Sequence, residues 1–79
     1  MWYFTIKQSG IGNKPYQRLQ QLSELTEVEL FNEPYENYYI FEVESSRYQQ
    51  VMDFLDVEGI AYNLSINRPS REELLEGMS

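Results

Sequence analysis

The chain contains no cysteine and no histidine. The first absence excludes a disulfide framework, and the two together exclude a Cys/His zinc site. Without an imidazole or a thiol, the remaining nucleophiles are Ser, Thr, Lys and Tyr, and none stands in a recognisable activating motif. Glycine and proline are sparse, at four and three in 79 residues, and no low-complexity linker is present. No apolar run approaches the roughly 20 residues that cross a bilayer. Basic residues are scarce as well, six against thirteen acids, for a formal charge of −7. Between Leu19 and Ser46 there is no lysine or arginine, while Glu24, Glu27, Glu29, Glu33, Glu36, Glu42 and Glu44 all fall there. The first residues, Met1-Trp2-Tyr3-Phe4-Thr5, lack the basic region and apolar run of a signal peptide, so a cytoplasmic location is expected.

Apolar and aromatic side chains are present in quantity. Hydrophobic residues make up 42% and aromatic residues 15%, seven of them tyrosines. That is enough for a folded core and argues against disorder. Seventy-nine residues make one small domain that buries roughly 60–65% of its unfolded surface. Stability must come from apolar packing, supplemented at most by self-association.

Hydrophobic periodicity switches repeatedly along the chain. Trp2, Phe4 and Ile6 alternate with Tyr3, Thr5 and Lys7, the pattern of a strand with one buried face. Ser9-Gly10-Ile11-Gly12 breaks the run. Asn13 is a candidate helix cap and Pro15 fits a first turn. Tyr16, Leu19, Leu22 and Leu25 then recur at helical spacing. Glu27 to Asn32 returns to period two, Glu33-Pro34-Tyr35-Glu36-Asn37 reads as a turn, and Tyr38 to Glu44 reads as a strand that completes a hairpin. Ser46 with Gln49 has the form of a capping box ahead of a helix carrying Tyr48, Val51, Met52 and Leu55. Gly59 is the natural stop. Ile60 to Ile66 alternates again, with Tyr62, Leu64 and Ile66 on the apolar side. Ser70 with Glu73 forms a second capping box, which opens a short helix bearing Leu74, Leu75 and Met78.

The order strand–helix–strand–strand–helix–strand, with right-handed crossovers, leads to an α+β fold of ferredoxin-like βαββαβ topology. It comprises a four-stranded antiparallel sheet with two helices on one face. Residues 1–68 are expected to form this single domain and residues 69–79 a short C-terminal helix or tail. The helix-covered face is expected to take Trp2, Phe4, Ile6, Val28, Leu30, Tyr39, Phe41, Val43, Tyr62, Leu64 and Ile66. The other face receives Tyr3, Phe31, Tyr38 and Ile40 among carboxylates. Three arrangements compete for that second face. It stands open to a partner, it is covered by the terminal helix or a homodimer mate, or it is plain sheet surface whose rings pair across strands.

Function is expected from binding rather than chemistry. A net negative field repels phosphate backbones and anionic lipid heads and favours basic partners. Neither direct nucleic-acid binding nor membrane binding is therefore expected. The leading expectation is a small acidic protein-interaction module that docks on a basic protein surface, such as that of a nucleic-acid-binding protein. It would act there as an inhibitor or nucleic-acid mimic. Small phage-type inhibitors of nucleases work this way, and the likeness to them is one of size and charge alone. Phe31, Tyr38 and Ile40 are the expected anchors, and Glu29, Glu33, Glu42 and Glu44 the steering acids. Neither a cofactor nor a metal is expected, since calcium-loop ligand order is missing. The pairs Glu27/Glu29, Glu42/Glu44 and Asp53/Asp56 have spacings that thirteen acids produce by chance, and no enzymatic activity is expected. The alternatives are a small-molecule-binding regulatory domain, with ligand at the Gly10–Gly12 turn, and a structural subunit of a larger assembly.

Overall fold

The computed structural model describes residues 1–78, without the Met78 side chain. The elements are β1 (Trp2–Lys7), α1 (Asn13–Leu22), β2 (Leu25–Glu29), β3 (Tyr38–Val43), α2 (Tyr48–Glu58), β4 (Asn63–Ser65) and α3 (Arg71–Met78). The strands form one sheet in the order β2-β3-β1-β4, and every neighbouring pair is antiparallel. This is an α+β fold compatible with the ferredoxin-like arrangement. β1 and β3 pair over their full length, from Trp2 opposite Val43 to Lys7 opposite Tyr38.

The main core lies between the sheet and α1 with α2. Phe4, Ile6, Phe41 and Val43 point from the two central strands at Leu19 and Leu22 of α1 and Val51 and Leu55 of α2. Aromatic contacts tie helices to strands. Trp2 stacks on Tyr48 with ring centroids 5.1 Å apart, and Tyr16 packs on Tyr39 at 4.5 Å and Phe41 at 5.9 Å. α2 ends as its sequence requires. Gly59 adopts φ 70° and ψ 29°, and the Ile60 and Gly59 amides donate back to the Leu55 and Asp56 carbonyls. This wrap is open to glycine at little steric cost.

Several expected boundaries move. α1 stops at Leu22, and Leu25 opens β2 rather than extending the helical stripe. The Ser23 amide closes the helix on the Leu19 carbonyl, and β-branched Thr26 and Val28 favour the strand that follows. The α1 cap is Gly12, not Asn13, and the box at Ser46 is not made. Arg47 caps α2 without a side-chain bond, and the Ser46 hydroxyl turns to Glu44 instead. β4 is only three residues long, so Tyr62 and Ile66 flank it.

Of the residues expected on the helix-covered face, Val28, Leu30 and Ile66 are exposed, Leu30 at 64% and Ile66 at 67%. The Tyr16–Tyr39 contact explains the first. Val28 lies opposite Tyr39 on the edge strand, beyond the ring that α1 sets down on β3. Leu30 and Ile66 lie just past the ends of β2 and β4.

Candidate functional site

The second face of the sheet is laid out by register in three rows. Leu25, Glu42, Tyr3 and Ser65 lie side by side. Glu27, Ile40, Thr5 and Asn63 form the next row, and Glu29, Tyr38 and Lys7 the third. The alternation that sends Phe4, Ile6, Phe41 and Val43 to the main core forces these residues to the opposite side. Tyr3, Tyr38, Ile40, Glu29 and Glu42 therefore share this face, as expected.

The face is not open. Tyr38 and Ile40 are only 5% and 2% exposed and form a second apolar cluster with Leu74 of α3, flanked by Tyr3 and Phe31. The expectation of Tyr38 and Ile40 as exposed anchors is thus corrected, and the competing arrangement, cover by the terminal helix, is the one found. The reason lies in the sequence of α3 itself. The Ser70 hydroxyl accepts from the Glu73 amide at 3.2 Å while the Ser70 amide donates to the Glu73 carboxylate at 3.3 Å. This reciprocal cap starts the helix with Glu72 and Glu73 at its positive end. Leu74 then falls one turn in and packs on Tyr38 and Ile40 of β3.

Two arginines fasten this helix to the acidic edge. Arg68 donates to both Glu27 and Glu29, the latter at 2.8 Å. Arg71 donates to Glu29 at 2.7 Å and to the Leu30 carbonyl at 2.9 Å. The Arg71 guanidinium also lies 4.4 Å from the centroid of the Phe31 ring, and that ring meets Tyr38 edge-on at 6.5 Å. Phe31 is held in place by its own amide, which donates to the Asn37 side chain at 2.8 Å. Glu29 keeps only 16% of its side chain exposed. The hydrogen bond from Arg68, then that from Arg71, hold its carboxyl below the ordinary glutamate range. The same contacts, Glu29 before Glu27, raise Arg68 further.

The expected steering acids separate. Glu29 belongs to the covered row. Glu42 lies two rows away, about 13 Å along the strands. Glu44 stands just past β3, and Glu33 is in the exposed turn closed by the Tyr35 amide on the Asn32 carbonyl. The uncovered row gathers a different set. Glu42 neighbours half-exposed Leu25 (48%) and Tyr3, with Glu24 joined to it by a 2.7 Å bond from the Glu24 amide to the Glu42 carbonyl. Among the described residues, no ion pair involves Glu24, Glu42 or Glu44. Leu25 and Glu24 escaped the sequence-level site because helical spacing assigned Leu25 to α1. The β-branched Thr26 beside it was the available signal.

The Gly10–Gly12 turn is engaged from within the protein. The Ser9 hydroxyl donates to the Glu36 carboxylate, and Lys7 pairs with it at 3.5 Å. Those contacts, Ser9 first, lower the Glu36 carboxyl. A carboxylate beside this loop disfavours an incoming phosphate. The nearby groove, lined by Thr5, Lys7, Gly10, Tyr38, Ala61, Tyr62 and Asn63, measures about 190 Å³, below the roughly 300–1,000 Å³ of common ligand pockets. Among the described residues no cluster of three or more His, Cys, Asp or Glu is placed to hold a metal ion, and no helix is long and apolar enough to cross a membrane. Comparison with protein-family models, curated proteins and solved structures gives no match.

Proposed function

We propose that the protein is a small acidic interaction module that docks on a basic protein surface. Inhibition of a nucleic-acid-binding partner, with carboxylates standing where phosphates would, is the form of activity that best suits its charge. The observation that supports this reading is the uncovered row, where Glu42 lies opposite half-exposed Leu25, with Glu24 next to Leu25 in sequence and Glu44 just past the end of β3. None of the three acids has an ion pair among the described residues. Carboxylates around an apolar residue suit a cationic partner, since charge steers the encounter and apolar contact holds the complex. Leu25 takes the anchor role in place of the buried Tyr38 and Ile40.

The test begins with the full chain as bait in lysate from its native source. The recovered partner is then titrated directly at several salt concentrations. The expected partner is basic, and its affinity falls steeply as ionic strength rises. An acidic partner, or binding indifferent to salt, overturns the reading.

A further inference from the structure

We propose that the sheet face beneath α3 is a docking groove for an arginine-presenting amphipathic helix of a partner, and that α3 is a displaceable strap occupying it in cis. The inference rests on the reading of the chain as a binder of basic surfaces, and it names the chemistry of the occupant. The groove has a charged wall and an apolar floor. Glu27 and Glu29 form the wall, and Tyr38 and Ile40 the floor, with Tyr3 and Phe31 at its margins. Its present occupant meets both. Arg68 and Arg71 engage the wall, and Leu74 seats in the floor. Arg71 and Leu74 stand one turn apart on α3, while Arg68 lies three residues ahead of Arg71 in the non-helical lead-in. The matching ligand is therefore a short helix with an arginine and a leucine one turn apart, preceded by a second arginine in its non-helical lead-in, and the chain carries its own copy of that pattern.

Several features make the strap releasable. α3 is eight residues long, too short to persist as an isolated helix. Leu74 is its one buried side chain among those described. Arg68 and Arg71 are 38% and 54% exposed, so water and salt compete for their bonds. Meanwhile β1, β3, α1 and α2 bury their own core on the other side of the sheet, and that core does not include α3. A foreign helix has to overcome the high effective concentration of a tethered competitor, so the strap sets a threshold that only a well-matched partner passes.

The test uses the full chain with Arg71→Glu and Leu74→Glu, which unseats α3, and a fluorescent peptide of residues 67–79 as the probe. The peptide is expected to bind this variant at least about tenfold more tightly than the unaltered chain, where the resident helix competes. Adding Glu29→Lys, or replacing both peptide arginines by glutamate, should abolish binding. Equal binding to both chains, or none to either, overturns the proposal. So does a concentration-dependent dimer that exchanges α3 in place of peptide binding, since the groove then belongs to a second copy.

Should the variant lose its sheet, native-state hydrogen exchange on the unaltered chain decides. Amides of α3 should exchange through local opening at least about a hundredfold faster than those of β1 and β3. Equal protection sinks the strap. Binding of a basic partner through Glu42 and Glu44 needs no movement of α3. Failure here therefore leaves the proposed function standing, and loss of salt-dependent partner binding with the peptide result intact would count against that function alone.

Discussion

Glu29 is the residue on which the covered face turns, because one carboxylate serves two guanidinium groups. Its folded-state pKa lies below the ordinary value. The unfolded chain therefore takes up this proton first as the pH drops. The stabilisation is complete above the unfolded value of about 4.3 and drains away as the pH falls through the folded one. Glu29→Gln should lower stability by about 1 kcal/mol near neutrality, or about 4–8 °C in melting temperature for a domain of this size. The gap between variant and parent should close as the pH falls below the unfolded value of about 4.3 and through the lower folded one; a gap constant with pH would show that the carboxylate charge is not what matters. Gly59 makes a second residue-scale case. Its φ of 70° is strained for any side chain even though an added Cβ would meet nothing within 4 Å. Gly59→Ala should therefore destabilise by about 1 kcal/mol through backbone conformation alone, measurable by denaturant unfolding.

Among the elements, α3 depends most on a single local device. Ser70→Ala removes both the acceptor for the Glu73 amide and one donor to its carboxylate, a loss of about 0.5–2 kcal/mol. The expected signature is fraying confined to α3, with amide shifts of β1 and β3 unchanged in the NMR spectrum. That helix was legible in the chain because cap, acidic first turn and leucine pair all agree. The first strand and the 38–43 strand were legible for a similar reason, since strict alternation of aromatic and β-branched residues admits one period. Leu25 was not, because a leucine at helical spacing satisfies the helix and the following strand equally until the Ser23 amide closes α1. The box at Ser46 had the right letters, but the chain there turns through Glu44 and Arg47 before the helix begins. The cover over Tyr38 and Ile40 is a tertiary choice. Periodicity assigns side chains to a face, and only packing decides whether an element thirty residues later settles on it.

At the scale of the molecule, charge is partitioned. Arg68 and Arg71, two of the chain's six bases, are paired with Glu27 and Glu29 on the β2 edge, whereas no base is paired with the acids around Leu25 among the described residues. Glu42→Lys with Glu44→Lys should mainly slow association with a basic partner, by about tenfold at low salt, while dissociation changes little. Stopped-flow rates separate the two, and an effect confined to the off-rate would place these acids inside the contact rather than beside it. The strand order β2-β3-β1-β4 carries a further consequence for how the protein is made. β1 leaves the ribosome first, yet its two neighbours are supplied by residues 38–43 and 63–65. At about 5–20 residues per second, Trp2, Phe4 and Ile6 wait roughly 3 to 12 seconds before both flanks of their strand are available. During synthesis this central strand is an unpaired apolar template, open to chaperones and to neighbouring nascent chains.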